Sequence, residues 1–444
     1  MKAWLNRLLG SDPPRNTSKK SAPLALPAST APTAAAAGTG FAVRRPLVAA
    51  NGNVAGFEFC LPASVEERLR RRADPIAQAA HALALMSSMQ TTLESGRVAF
   101  ATIPMTILAR PNVVDHAPAG AHLCLDSAAV EDNESAEPVD TAALLTSLRV
   151  RDVRVGAMPS QPDDAAHLDF AVLNAATLGL EPMLEAARQW RSTNGSKTLI
   201  ATQLANVDEI ELALAAGATL ACGSFNASAT MPSKRPLQGD VQRIIQLLNS
   251  VRSEDKPLAD LTQDLRADVA LCYRLLRHVN SPAVGLSRAV ESIDQAVLLL
   301  GRSELYRWLS VLLLSSVNGR RASRALQEVS LARARLAESL ARERSGDAPD
   351  ALFTVGLLSL LDVMLQVPLE QALGPLRLTD PARQALIERG GPWHDILALA
   401  EALERHDLNA AGELAAAFGG IDRVLTLSDE AWGWAASVQR ELST

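Results

Sequence analysis

Residues 43–60 read VRRPLVAANGNVAGFEFC. Two apolar-rich runs, Val43–Ala49 and Val54–Cys60, flank Asn51-Gly52, a pair that tolerates positive φ and so closes a β-hairpin. From there to Ser233, short apolar runs alternate with helical patterns. Asp74 and Pro75 supply the cap and first turn of a helix running towards Thr92. Val98–Ile103, His122–Leu125, Arg151–Val155, Leu168–Val172, Thr198–Ala201 and Ala218–Ala221 read as further strands. Glu181–Arg191 and Val207–Ala216 read as helices between them, the second stopped by Gly217. Strands alternating with helices predict a mostly parallel α/β sheet, and the strand count favours a barrel.

Around Met231–Asp240 the pattern changes. Pro232 and Pro236 punctuate the chain, and helical periodicity follows: Val241, Ile244, Ile245, Leu248; then Leu271, Leu275, Leu276, Val279; then Leu305, Trp308, Leu309, Leu312. Gly301 and Asn318-Gly319 supply helix stops. Residues 11–40 are dominated by Ala, Pro, Ser and Thr, which bury too little apolar surface to order a chain. Trp4, Leu5, Leu8 and Leu9 line one side of a short helix or belong to a frayed terminus; helices this short are marginal in water. The expected organisation is a disordered leader at 1–40, an α/β domain at 41–233 and an all-α domain at 241–440.

Composition bounds the function. The 444 residues carry 43 Lys+Arg against 49 Asp+Glu, a net charge of −6, so a global nucleic-acid footprint is not expected. The apolar runs end well before the ~20 residues that span a bilayer, and the first ten residues do not make a signal peptide. Cys60, Cys124, Cys222 and Cys272 form no CxxC pair and read as reduced thiols of a cytoplasmic protein. The seven histidines make no HExxH and no zinc-spaced set with cysteine.

Two stretches resemble known families. Arg44–Pro62, RRPLVAANGNVAGFEFCLP, is similar to the opening hairpin of an EAL domain, which reads "RQPI…GYELL-R". Asp268–Leu309, DVALCYRLLRHVNSPAVGLSRAVESIDQAVLLLGRSELYRWL, resembles an HDOD domain, with its "D-x-x-L-x-x-x-L-L-R-x-V-N-S" helix and "S-I-x-Q-A-x-x-x-L-G" step. FTVGLLSLLDVML, from Phe353, is also like that family. The chain therefore resembles a bacterial EAL–HDOD signalling protein. The resemblance implies a TIM-type α/β barrel followed by an all-helical HDOD domain.

Active EAL domains hydrolyse cyclic di-GMP with two divalent cations, and hard cations need several oxygen ligands at strand ends. On the family pattern Glu58 falls at the EAL glutamate, with Phe59 and Cys60 replacing its neighbours. The metal-binding asparagine falls at or beside Thr102, and Asp126 stands about where the next glutamate belongs. The remaining ligand positions fall near Gly156-Ala157, Leu173-Asn174, Ala205 and Cys222. Two acidic groups cannot hold a two-metal centre and a general base, so a degenerate phosphodiesterase domain with no catalytic residues, metal or cofactor is expected. Glu58 is then a strand-end carboxylate paired with a nearby arginine, in preference to a residual metal or nucleotide contact.

In the HDOD-like half, Gly356-Leu357-Leu358 is followed by Ser359-Leu360, where HD-type hydrolases hold a His-Asp pair. Neither residue can ligate a hard cation. Asp362 and His394 read as structural, and Trp308 as core. On the helix Asp268–Val279, Tyr273, Arg277 and Asn280 recur on one face, with Arg274 and His278 beside them. They form a surface for an acidic partner or phosphate; alternatively, Asn280 and Ser281 end the helix and the arginines are solvated. The basic run Arg320, Arg321, Arg324, Arg333, Arg335, Arg342 and Arg344, interspersed with Glu328, Glu338 and Glu343, reads as a salt-bridged solvated face.

These readings predict a cytoplasmic, non-catalytic scaffold that acts on regulatory protein partners in a cyclic di-GMP-related pathway. Two alternatives compete: a cyclic di-GMP sensor without hydrolysis, and a residual metal-dependent phosphodiesterase working through Glu58 and Asp126.

Overall fold

The computed structural model describes residues 42–60, 75–126, 139–158, 168–226, 239–253, 255–281, 290–317, 319–344 and 346–443; the expected leader lies outside them. Strands β1 (Val43–Ala49) and β2 (Val54–Cys60) form the expected antiparallel hairpin, with Arg45 opposite Glu58. From β2 the sheet runs parallel through β3 (Val98–Pro104), β4 (His122–Asp126), β5 (Arg154–Ala157), β6 (Phe170–Asn174), β7 (Thr198–Leu204) and β8 (Leu220–Gly223). β8 returns antiparallel to β1 and closes an eight-stranded barrel. The TIM-type barrel is thus present with one reversed strand, because the four residues between Ala49 and Val54 can join only antiparallel neighbours.

Three strands begin two or three residues later than their sequence signals. Asp152, at φ 59°, still belongs to the turn that ends the preceding helix. The Asp169 carboxylate accepts the Val155 N–H at 2.8 Å, so it works beside the sheet rather than in it. The Ala218 N–H donates to Ala213 O at 3.0 Å and completes a helix end.

Helices α1 (Pro75–Glu94), α2 (Thr141–Val150), α3 (Leu180–Asn194) and α4 (Val207–Ala216) connect the strands. Asp140 and Asn206 cap α2 and α4 by accepting the N–H groups of Ala143 and Glu209. Leu47, Phe100, Cys124, Phe170, Val172, Ile200, Leu220 and Cys222 fill the barrel interior. Phe100 meets Phe170 edge-on, with ring centroids 6.0 Å apart. Gly156 lets that ring cross the barrel: a Cβ there would lie 2.3 Å from Phe170 Cε2.

Beyond the barrel the described secondary structure is helical: α5 (Gly239–Arg252), α6 (Leu258–Arg266), α7 (Val269–Val279), α8 (Ile293–Ser315), α9 (Ser323–Glu343), α10 (Pro349–Leu358), α11 (His394–Glu404), α12 (Leu408–Ala415) and α13 (Ile421–Ser443), with short turns between α10 and α11. Two compact units result. One contains Gln246–Leu309; the other joins Gly40–Ile245 to Ser310–Thr444. Within the first, the Arg302 guanidinium donates to the carbonyls of Val251, Ser253 and Lys256, and Trp308 is buried. Within the second, α9 and α13 cover the outer face of the β1–β2 hairpin. Phe57 stacks edge-on against Trp432 at 5.0 Å, Arg44 pairs with Asp429, and Arg97 pairs with Glu328 at 2.7 Å. Among the described residues no helix is long and apolar enough to cross a membrane.

The basic run is only in part the salt-bridged solvated face that its sequence suggests: Arg321, Arg324 and Arg342 are exposed, and Arg335 and Arg342 pair with Glu338 at 2.9 and 2.8 Å, but two other arginines are not solvated. Arg320 and Arg333 are buried, and α9 is buried around most of its circumference. A helix wedged between a barrel and other helices has few solvated positions, so its interior charges must be paired. Arg320 bonds Asp208, Glu211 (3.3 Å) and the Val363 carbonyl (3.1 Å). Both Nε and Nη2 of Arg333 reach the Glu404 carboxylate at 2.6 Å.

Candidate functional site at the barrel mouth

Side chains alternate along a strand, so Glu58 and Cys60 share the inner face of β2. β1 lies between β2 and β8 and brings Arg45 against Glu58, while β8 supplies Cys222 from the other side. Arg45 Nε and Nη2 donate to Glu58 Oε2 at 2.9 and 2.6 Å, and Cys222 Sγ donates to the same oxygen at 3.2 Å. Arg45 Nη1 reaches Gln203 Oε1 at 3.5 Å. Gln203 holds φ at 60°, where the β7–β8 register shifts between Ala201 and Leu204. His406 arrives from the corner between α11 and α12. One donor atom each from Glu58, Cys60 and His406 lies within 4.8 Å of the others.

Burial sets the electrostatics. Arg45 is 3% exposed and Glu58 5%. Desolvation alone would raise the Glu58 pKa, but Arg45, His406 and the Cys222 hydrogen bond together hold it below the ordinary carboxylate value. Desolvation likewise works against the Arg45 charge, which the neighbouring carboxylate more than restores. Burial and the Arg45 charge push His406 down to about 4, leaving a neutral imidazole at neutral pH. Burial, then Glu58, drives the Cys222 thiol well up, and burial pushes Cys124 up to about 12. Neither of these thiols is a nucleophile at neutral pH.

The donor set does not fit two hard cations. Strand alternation puts Thr102, Asp126, Asn174 and Thr202 at the inner strand ends, with Gly156 and Cys222 at the others. The Asn174 side chain already accepts the Ala176 N–H at 2.9 Å. Glu58 spends one oxygen on a guanidinium and a thiol. Near-octahedral oxygen shells for two Mg²⁺ or Mn²⁺ ions need more carboxylates than Glu58 and Asp126 provide.

In the helical half, the buried Arg333 lies beside Ser359. Arg333 Nη1 donates to Ser359 Oγ at 3.1 Å while its other nitrogens hold Glu404. Asp362 is close to the same charge, yet burial raises its pKa, and its Oδ1 has no hydrogen-bond partner among the described residues.

On α7, Tyr273 is 65% exposed and Val269 82%, with Arg274 and Arg277 exposed beside them. Asn280 does a different job. Its Nδ2 donates to Val290 O at 2.8 Å and its Oδ1 accepts the Val290 N–H at 2.7 Å, which ties down the chain beyond the helix. The structure therefore separates Asn280 from the other three. Sequence reading missed Gln203 and His406. The i, i+2 spacing of Glu58 and Cys60 was visible, but no local signal ties either to a histidine almost 350 residues later.

Residues 237–371 match the HDOD domain family. Over 226 residues the chain is 30% identical to the uncharacterized protein YuxH of Bacillus subtilis strain 168, covering 50% of this chain and 55% of that one. Over 276 residues it is 25% identical to the cyclic di-GMP phosphodiesterase CdgJ of Vibrio cholerae serotype O1, covering 62% and 64%. The chain thus spans less than two thirds of these relatives. Similar solved structures include an EAL domain protein from Listeria monocytogenes EGD-e (TM-score 0.32, 12% identity, 41% of this chain and 85% of that one). Another is the FimX EAL domain from Pseudomonas aeruginosa bound to c-di-GMP (TM-score 0.31, 11% identity, 41% and 87%). A barrel followed by an HDOD domain is the EAL–HDOD architecture that the sequence resembles.

Proposed function

We propose that this EAL–HDOD-type chain is a non-catalytic scaffold in cyclic di-GMP-related regulation, acting through protein–protein contact. The carrying observation is the Arg45–Glu58 pair. A guanidinium, locked by two hydrogen bonds to one carboxylate oxygen, supplies in permanent form the positive charge that a catalytic cation would bring. It cannot activate water, because it has no exchangeable ligand position and stays protonated. The buried Arg333–Glu404 pair beside Ser359 does the same in the helical half. What remains for function is surface, and exposed Tyr273, Arg274 and Arg277 offer an aromatic and two guanidinium groups of the kind enriched at protein interfaces.

The relative named as a cyclic di-GMP phosphodiesterase supplies the competing outcome. Purified full-length protein is titrated calorimetrically with cyclic di-GMP plus Mg²⁺ or Mn²⁺, and the same sample is assayed for linear product. The expected result is no product. Product formation that disappears in Glu58→Gln would overturn the proposal, and binding without product would replace it with the sensor reading.

A further inference from the structure

We infer that Glu58, Cys60 and His406 form a binding site for one borderline-soft divalent cation, Zn²⁺, where the barrel mouth meets the α11–α12 corner. The oxygen, sulfur and nitrogen donors come within 4.8 Å of one another. Zinc sits about 2.0–2.3 Å from such atoms, so small side-chain movements would bring all three into its shell. The set is unsuited to Mg²⁺ or Mn²⁺, which prefer oxygen, and it leaves a fourth tetrahedral position for water.

The corner that carries His406 is rigid. The His406 N–H donates to Leu403 O at 3.0 Å and the Asp407 N–H to Ala402 O at 2.9 Å, which together close the end of α11 in a Schellman motif. The Asp407 carboxylate then accepts the Ala410 N–H at 3.1 Å and starts α12. His406 occupies the left-handed position of this motif, φ 58°, where glycine is the usual residue. Ending the helix does not require an imidazole there. Its Nε2 is nevertheless buried with no hydrogen-bond partner among the described residues. A polar nitrogen held in that way, facing a carboxylate and a thiol, is an unfilled ligand position.

Neighbouring side chains already orient Glu58. Among the described residues, the donors from Arg45 and Cys222 reach Oε2, which orients the carboxylate with Oε1 turned to a cation. The Arg45 charge opposes the ion and weakens binding without blocking the ligand atoms. On binding, Cys60 would release its thiol proton to solvent as the Zn–S bond forms. The bound ion would pin the helical segment to β2, both within one compact unit.

The test uses full-length protein stripped by chelator dialysis, titrated with ZnCl₂ by calorimetry and followed by thermal melting. One zinc per chain and a raised Tm are expected. His406→Gly suits the left-handed backbone and so preserves the fold; it and Cys60→Ser should each weaken zinc binding at least tenfold while leaving the metal-free Tm near wild type. Absence of zinc binding would overturn the assignment. So would wild-type affinity in both variants, since the ion would then sit on other thiols or histidines.

Discussion

Replacing Glu58 by Gln leaves the Arg45 guanidinium, 3% exposed, without its counter-charge. Removing one partner of a buried pair costs about 3–5 kcal/mol, because the remaining charge stays desolvated. Gln keeps the side chain's length and one acceptor oxygen, which places the expected loss near the lower end, about 3 kcal/mol. The exposed pair Arg188–Glu185, with side chains 56% and 73% exposed, provides the contrast: Glu185→Gln should cost no more than about 0.5 kcal/mol. Urea unfolding followed by tryptophan fluorescence reads the difference, since Trp432 packs on Phe57 beside the same hairpin. With an m-value of about 3 kcal/mol/M, the Glu58→Gln midpoint falls by about 1 M. The pH dependence adds a second check. The folded Glu58 pKa lies below the ordinary 4.5, so the folded state favours the ionised form more than the unfolded state does. The pair's contribution is therefore complete above about pH 4.5 and is lost as pH falls further, so wild type and variant converge in acid. A midpoint shift below about 0.2 M at pH 7 would refute the pairing argument.

Arg333→Met removes the partner of Glu404 and the donor to Ser359, and should lower stability by about 3 kcal/mol; replacing Arg333 and Glu404 together with apolar residues should recover most of it in a double-mutant cycle. Arg320→Ala uncouples α4 from the chain near Val363 and should raise amide exchange in α4, read by hydrogen-exchange mass spectrometry; unchanged protection would contradict the clamp. Burial lowers His278 from 6.5 to about 4, so the unfolded state binds its proton first. Its contribution to stability is complete above about pH 6.5 and declines towards pH 4, and an NMR titration of its ring protons with a midpoint near 6.5 would refute the burial. Gly156→Val should destabilise by at least about 1–3 kcal/mol, because its side chain collides with the Phe170 ring; a wild-type thermal melt would show that the barrel interior is looser than described.

Local chemistry determined much of this protein before any tertiary contact. Gly52, at φ 81°, supplies the left-handed position of the tight turn, and the apolar runs beside it become β1 and β2 with the predicted bounds. Gly217 and Asn206 likewise mark the ends of α4, because capping depends only on neighbouring backbone groups. The shortage of carboxylates near Gly156, Asn174 and Cys222 was equally visible, since residue type limits what can ligate a hard cation. Tertiary structure decided the rest. Which arginine would meet Glu58 depended on strand register, which places Arg45 and Glu58 opposite each other across the hairpin. Whether the arginines of α9 were solvated depended on what packs around that helix. A salt-bridged exposed helix and a buried one with paired charges have the same pattern of Arg and Glu, and only the barrel and neighbouring helices tell them apart. His406 reaches Glu58 through the closing geometry of α11, a contact between residues far apart in the chain that no sequence periodicity encodes.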